Sequence, residues 1–274
     1  MSRRTSRIMS LFILFPAVLS LYLGGCASFR TASYEETPTV LDETIISDIY
    51  SIDGEKILRA MATVNLLQTP DIRQSHRVAF VVRPPSNLKV EALPAFGIPD
   101  YFFSINEGSF KVFIPGKGRM YTGKTSRDTI FSFFRLDMDA REIIALMAGA
   151  APTPLLAGEE VGERRIRAFR NKEGYSLKVY SDHDRLLQSI RLDSNSRMRE
   201  LEVYNHRGRL RYHAYFEWDG MTAKPRRITV AMADLHATVV DFELDSVSIG
   251  TEDDLPKGFF DLPVPPGVEL IFLD

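Results

Sequence analysis

The sequence predicts a mainly β protein with an α-helical lid (α+β), folded as an open antiparallel half-barrel that short helices cover. Three observations predict this class. Apolar and polar residues alternate with period two in the second half, short Val-, Phe-, Ile- and Tyr-rich segments separated by Pro and Gly fill the first half, and two short helical segments lie between them. With 274 residues, 45% hydrophobic and 26% charged, the chain is neither a disordered tail nor a basic nucleic-acid binder.

The first 25 residues have the layout of an export signal. Arginines precede an apolar run, 11–23, that is shorter than the about 20 residues a membrane span needs. The run closes on Leu23-Gly24-Gly25-Cys26, which resembles the lipobox of bacterial lipoproteins. We therefore expect a signal peptide over 1–25, acylation of Cys26, and a tether over 26–41. An uncleaved anchor, or an ordinary signal with a chance cysteine, is the alternative.

Cys26 is the only cysteine in the sequence, and this excludes an internal disulfide framework, a CxxC redox pair and a cysteine-rich zinc site. Loss of residues 1–25 would remove three arginines and no acidic residue, so the formal net charge of −2 would become −5. A mildly acidic body does not favour electrostatic docking on anionic lipid. Membrane attachment is therefore expected to depend on the acylated cysteine.

The remaining chain, 42–274, is predicted to be one domain. Asp42 precedes a short helix that begins near Ile45 and continues to about Leu58 if Gly54 is tolerated. Strands are predicted over 57–68, 75–83, 87–93, 100–106 and 109–115. Two short helices follow, the first after Ser126 and the second from Asp139 to Gly149, because hydroxyl and acidic residues favour N-caps and glycine favours a C-terminal stop.

The second half shows the clearest strands, at 197–204, 209–217, 228–232 and 238–246, among six or more in that half. Asn205-His206-Arg207-Gly208 predicts a hairpin turn. Alternation predicts one buried face and one wet face on each strand. In 209–217 the predicted buried residues are Leu210, Tyr212, Ala214 and Phe216, and the predicted wet ones are Arg209, Arg211, His213, Tyr215 and Glu217.

Four stretches resemble the LolA/LolB group of periplasmic lipoprotein carriers and outer-membrane lipoprotein receptors, and more closely LolB-like lipoproteins. They resemble, in order, a strand-turn-strand, a protruding loop, two lid helices and a C-terminal strand. The stretches are Arg83–Glu91 (RPPSNLKVE), Leu93–Gly97 (LPAFG), Ser126–Gly149 and Phe260–Leu270 (FDLPVPPGVEL).

The resemblance implies a cup whose apolar inner face holds the acyl chains of a lipoprotein. The chain would receive them from a LolA-like periplasmic carrier and help to insert the lipoprotein into the outer membrane, from a lipid-anchored position on its periplasmic face. Candidate lining residues are Val78, Phe80, Val82, Phe131, Phe134, Ile144 and Met147. Ordinary core packing is the alternative for each, since an apolar stripe does not separate the two roles.

Phe96 lies with Ala95 and Ile98 in a segment too rich in proline and glycine for a strand interior. An aromatic residue exposed on such a loop would suit insertion into a bilayer or contact with a partner. A phenylalanine folded back over the barrel rim is the alternative.

An enzyme is the least supported class. The five histidines form no HxH or HExxH motif, and the sequence has no GxSxG elbow, Walker loop or GxGxxG. We expect no catalytic residue, no metal, no cofactor and no nucleic-acid partner. The competing interpretation is an envelope lipoprotein that uses the same fold to bind another lipid or a protein, and a fully packed interior would favour an interaction module.

Overall fold

The computed structural model describes residues 36–50, 56–69, 72–156, 159–160, 165–220, 224–233 and 238–273. They belong to one compact unit, Glu36–Asp274; the other unit, Met1–Glu35, lies outside the described residues together with the predicted signal and Cys26. The predicted acylation therefore stays a prediction.

Most of the first half forms strands at the predicted places. A short strand, β1 (Thr37–Thr39), precedes helix α1 (Glu43–Tyr50), which begins where Asp42 accepts a hydrogen bond from the Thr44 backbone N–H at 2.9 Å. The helix ends at Tyr50 rather than Leu58, because the chain is already extended from Lys56. The next strands are β2 (Lys56–Thr69), β3 (Ile72–Arg83), β4 (Asn87–Leu93), β5 (Phe102–Asn106), β6 (Ser109–Ile114) and β7 (Arg119–Lys124).

Two helices then follow, as the sequence predicts. In α2 (Arg127–Phe134) the Ser126 hydroxyl accepts the Thr129 N–H at 3.0 Å. In α3 (Ala140–Met147) Asp139 and Glu142 form a capping box, each side chain accepting the backbone N–H of the other. These bonds satisfy N–H groups that a helix start otherwise leaves unpaired, so each start is fixed locally.

The second half is a run of hairpins. A minimal pair, β8 (Leu155–Leu156) with β9 (Glu159–Glu160), stands apart from the main sheet. The strands after it are β10 (Arg165–Arg170), β11 (Gly174–Tyr180), β12 (Leu186–Asp193), β13 (Met198–Tyr204), β14 (Leu210–Glu217), β15 (Arg227–Met232), β16 (Val239–Thr251) and β17 (Glu269–Leu273). The predicted turn at 205–208 is confirmed: the Gly208 N–H donates to the Asn205 carbonyl at 2.9 Å, and Gly208 has a φ of 71°.

In the described part of the chain, one open sheet of 15 strands runs in the order β1-β10-β11-β12-β13-β14-β15-β16-β2-β3-β4-β5-β6-β7-β17. Its neighbours are antiparallel except β17, which pairs with β7 in parallel. The fold class predicted from the sequence, a mostly antiparallel open sheet with few helices, is therefore confirmed.

Two local expectations are wrong. The stretch Phe260–Leu270 is not a strand until Glu269, because prolines 263, 265 and 266 lack the N–H donor that a ladder needs. On β14, Leu210 is exposed and Arg211 is buried, the reverse of the predicted alternation. The register shifts between Val203 and Tyr204 on the neighbouring strand, beside these residues.

The core divides into two clusters that α3 joins. We call them the α1-side core, which includes Ile49, Leu146 and residues of β11–β15, and the α2-side core, which includes Ile130, Ile144, Met147 and residues of β2–β6. In sheet order β11 and β6 are ten strand spacings apart, on the order of 50 Å in a flat sheet. The two clusters nevertheless meet between β15 and β2, where half-buried Phe242 of β16 packs against both, and α3 lies over this junction.

Candidate functional site

The candidate site is the apolar inner face of the sheet together with the helices that cover it. Aromatic rings of α2 pack directly on the sheet: Phe134 lies 5.2 Å from Phe103 of β5, and Phe133 lies 5.4 Å from Phe110 of β6 and 5.1 Å from Tyr121 of β7, between ring centroids. These edge and tilted contacts are favourable geometries for aromatic pairs. Together with fully buried Ile130, these rings hold the helix against the sheet.

Six of the seven predicted lining residues come together on this face. Val78, Phe80, Val82, Ile144 and Met147 are buried members of the α2-side core, and half-buried Phe134 packs against it. Phe131 of α2 is not a member of this core. Its ring centroid lies 5.5 Å from the guanidinium of Arg135, the residue that follows the helix. With both helices on the sheet, these six residues make the contacts of an ordinary hydrophobic core. Their role in lining an acyl-chain cavity stays a prediction.

A small apolar cavity lies between α3 and the sheet. It measures about 20 Å³ and is bounded by the segment before α3, by α3 itself and by β15 and β16. Its lining residues are Leu136, Met138, Ile143, Leu146, Met147, Ile228, Val230, Val240 and Phe242. A space of this size is comparable to that of a single water molecule, so no acyl chain fits there unless the helices move.

Arg211 of β14 holds α3 to the sheet. Its Nη1 and Nη2 donate to the two carboxylate oxygens of Glu142 at 2.7 and 2.9 Å, and Nη2 also donates to the Asp137 carbonyl at 2.5 Å. Tyr212, the next residue, donates its hydroxyl to Glu142 at 3.3 Å. We call this group the Arg211 clasp; both Arg211 and Glu142 are over nine-tenths buried, with side-chain exposures of 7% and 6%.

The electrostatics of the clasp keep both donors in their donating forms. Burial by itself lowers the pKa of Arg211, but the hydrogen bonds and charge of Glu142 outweigh it and raise that pKa above its usual range. Burial, followed by the charge of Glu142, raises the pKa of Tyr212 well above its usual value. The guanidinium therefore stays charged and the phenol stays protonated at any physiological pH.

Sequence reasoning missed the clasp. Arg211 and Glu142 are 69 positions apart, and the alternation on β14 placed Arg211 on the wet face. The only local signal was Asp139 followed three residues later by Glu142, which predicts a capping box but says nothing of a partner on the sheet.

A polar cleft of about 560 Å³ opens beside the clasp. It is lined by the starts of both cover helices, including Arg127 and Arg141, and by the hairpin residues Asn205 and His206. Arg127 Nε lies 3.6 Å from an Asp137 carboxylate oxygen, so one cation of the cleft is already paired. Among the described residues, no group of three or more His, Cys, Asp or Glu could hold a metal ion.

The loop between β4 and β5 presents its apolar residues to solvent. Phe96 is 95% exposed, and Ile98 and Ala95 are also exposed. The base of the loop is braced, since the Ala92 N–H donates to the Tyr101 carbonyl at 3.0 Å and the Asp100 N–H donates to the Ala92 carbonyl at 3.1 Å. The loop therefore projects Phe96 from a fixed base rather than folding it back over the rim.

The comparisons with known proteins concern the fold. No family model matches the sequence, and no curated protein matches it. A LolA superfamily protein from Nitrosomonas europaea is similar in structure, with a TM-score of 0.50 and 15% identity, over 82% of this chain and 99% of that one. A DUF1329 family protein from Desulfovibrio piger is similar with a TM-score of 0.51 and 13% identity, over 80% of this chain and 95% of that one.

A domain from Vibrio parahaemolyticus described as an outer membrane lipoprotein-sorting protein matches with a TM-score of 0.47 and 9% identity, over 80% of this chain and 95% of that one. At these identities the first two likenesses establish a LolA-like fold and nothing finer. In the part of the chain that the structure describes, no helix is long and apolar enough to cross a membrane.

Proposed function

We propose that the protein is an outer-membrane lipoprotein that accepts the acyl chains of other lipoproteins from a periplasmic carrier and helps to insert them into the outer membrane. It would do so without covalent chemistry of its own, anchored through acylated Cys26 on the periplasmic face. The observation that carries the proposal is an apolar inner face of an open sheet covered by two short helices.

Transfer by this route requires the helices to move. The cavity of about 20 Å³ is too small for an acyl chain, so α2 and α3 must swing away and expose the α2-side core. Each buried methylene contributes about 0.8 kcal/mol, so an acyl chain can replace the side-chain contacts that the helices give up. Met147 at the helix–sheet junction is unbranched and adapts readily to such an exchange.

The exposed loop supplies the second part of the mechanism. Phe96 projects from a braced base, and an aromatic residue placed in this way is suited to enter the bilayer interface at the moment of release. The fold likeness to a LolA superfamily protein supports the same class of function by analogy.

The test is the release of a fluorescent acylated lipoprotein into liposomes. Phe96→Glu is expected to slow the release with an unchanged melting temperature, because the side chain has few contacts to lose. Val40→Glu is the matched control, since Val40 is 96% exposed and lies outside the loop. Normal release by a normally folded Phe96→Glu variant would contradict the role of the loop.

The second candidate is an interaction module, and the packed interior is the observation that favours it. Depletion of the protein followed by lipoprotein fractionation separates the two. Accumulation of unlocalised lipoproteins supports the receptor, and unchanged localisation supports the module.

A further inference from the structure

Helix α3 is held by polar contacts at both of its ends. At its start, the Arg211 clasp binds the carboxylate of Glu142 through two hydrogen bonds. At its end, Lys224, which precedes β15, donates from its Nζ to the Ala148 carbonyl at 2.6 Å. Movement of α3 away from the sheet must therefore break a buried ion pair and a charge-assisted hydrogen bond, which are among the stronger polar contacts in a protein.

The chain that follows α3 is also fixed. The Ala151 N–H donates to the Ile49 carbonyl of α1 at 2.9 Å. The side-chain amide of Gln188, a buried residue of β12, donates to the Pro152 carbonyl at 2.7 Å. These bonds hold the exit of α3 in place, so this helix has no loose end from which it could begin to swing.

Helix α2 is held to the sheet by apolar side chains. Ile130 is fully buried, and the ring centroids of Phe133 and Phe134 lie 5.1 Å from that of Tyr121 and 5.2 Å from that of Phe103, respectively. Two of the eight residues of α2 are buried, against six of the eight in α3. Since local stability follows the number of buried contacts, α2 is the less stable part of the cover.

Two held points bound the segment that contains α2. Before the helix, the Thr125 N–H donates to the Gly108 carbonyl at 2.9 Å, and after it the clasp binds the Asp137 carbonyl. Between the helix and Asp137 lies Arg135, whose φ of 57° is a left-handed conformation that is unfavourable for a residue with a Cβ. Unwinding the end of α2 relieves this strain and leaves the hydrogen bonds of the clasp in place.

The chemistry of an acyl chain suits the place of α2 better than that of α3. An alkyl chain lying on Phe103 and Phe110 would replace the apolar contacts that the rings of α2 give up. In the place of α3 it would lie against the guanidinium of Arg211 once the Glu142 carboxylate had left. A buried charge without its partner is strongly unfavourable, and an alkyl chain offers it no acceptor.

We propose that the cover opens first at α2 while α3 stays clasped, and that the place α2 leaves on β5, β6 and β7 is the first binding site of an acyl chain. The identity of this ligand rests on the proposed function, whereas the order of opening rests on the contacts alone. Ile144 and Met147 of α3, which belong to the α2-side core, would form one wall of the site. A larger opening, in which α3 also moves, must then break the clasp.

The order of opening is tested by hydrogen exchange of the purified full chain in lipid nanodiscs, read by mass spectrometry and corrected for intrinsic exchange rates. We expect protection of the α2 amides to be lower than that of the α3 amides by about tenfold or more, because α2 opens without breaking the clasp. Equal protection of the two helices, or lower protection of α3, would overturn the proposal.

Phe133→Ala shows whether the two helices open separately. The variant should lower the protection of α2 further and leave that of α3 unchanged, whereas an equal loss in both would mean that the cover opens as one body. Phe113→Ala is the matched control. Phe113 lies on the opposite face of β6 from Phe110 and stacks on Phe102, with ring centroids 6.0 Å apart, so its loss should leave α2 protected.

The site itself is tested in the same preparation with a fatty acid that carries a diazirine in its alkyl chain. After irradiation, we expect label on β5–β7 that unlabelled fatty acid competes away, and equal labelling of the α1-side core would overturn the site. Absence of competed label would contradict both the site and the proposed function. Label on β5–β7 with α2 and α3 equally protected would refute only the order of opening.

Discussion

The Arg211 clasp makes a quantitative prediction for Glu142→Ala. The change removes both carboxylate oxygens that accept from Arg211, at 2.7 and 2.9 Å, and leaves a buried guanidinium whose remaining polar partner is Asp137, beside the Tyr212 ring at 5.5 Å. Breaking one side of a buried ion pair typically costs about 3–5 kcal/mol. Asp137 remains, but the Asp139 N–H and the Tyr212 hydroxyl also lose their acceptor, so we expect a loss of about 4 kcal/mol.

The matched comparison removes both partners. Arg211→Met with Glu142→Leu leaves no buried charge, so the double variant should be clearly more stable than Glu142→Ala. It still lacks the acceptor of the Asp139 N–H and of the buried Tyr212 hydroxyl, which should keep it about 1–2 kcal/mol below the natural chain. Asp245→Ala is the surface control: Arg77 and Asp245 form an exposed pair at 3.9 Å, and removing it should cost about 0–1 kcal/mol.

The assay is urea unfolding followed by far-ultraviolet circular dichroism, with hydrogen exchange of the α3 amides as a local readout. Faster exchange across α3 in Glu142→Ala is expected, because the clasp is what joins the start of this helix to β14. Two results would refute the reasoning: a loss below about 1 kcal/mol in Glu142→Ala, or a double variant as unstable as the single one.

Three other predictions follow from local geometry. Burial lowers the pKa of His213 in spite of nearby Glu202. The contribution of His213 to folding stability is therefore present above about pH 6.5 and is lost as the pH falls through the lowered pKa. His213→Gln should flatten the pH dependence of the melting temperature between about pH 8 and pH 5. Gly149→Ala should cost about 1–2 kcal/mol in urea unfolding, because Gly149 has a φ of 77° and a Cβ there would lie 3.1 Å from Pro225; a neutral effect would contradict this. Gly123→Ala should speed hydrogen exchange in β17 and leave β11 unchanged, and unchanged exchange in β17 would show that the strand tolerates the added methyl group.

The sequence placed β2–β6 and β13–β16, whose Val-, Ile- and Phe-rich segments are clear. It counted β10–β12 only among six or more strands of the second half, without bounds, and it missed β7. Strand β7 contains Met120 and Tyr121 among polar and glycine residues, so it gave no period-2 pattern, and its place in the sheet comes from pairing with β6 and β17. The start of β17 was predicted too early, at Phe260 instead of Glu269, because apolar residues between prolines resemble a strand until the missing N–H groups are considered.

The sequence could predict which residues face the inside of the sheet, but not whether they line a cavity or fill a core. An apolar stripe identifies Val78, Phe80 and Val82 as inward-facing, and the structure places them on the inner face. Whether such residues line a cavity or fill a core depends on where α2 and α3 lie, and that depends on contacts with distant strands. The Arg211 contact with Glu142, for example, has no counterpart in any local pattern.

The joint between β16 and β2 governs how this sheet can assemble. Most strands on either side of it are hairpin neighbours that form from local chain, whereas here Lys56 pairs with Thr251 and Leu67 with Val239. In the described part of the chain this is the longest of the pairings between distant segments; the others are the short β1–β10 pair and the parallel β7–β17 pair. Bringing these distant segments together costs chain entropy before any stabilising contact between them has formed. The two sets of hairpins can therefore fold separately, and their pairing at this seam would be the slow step of folding, in which the inner face of the sheet first forms.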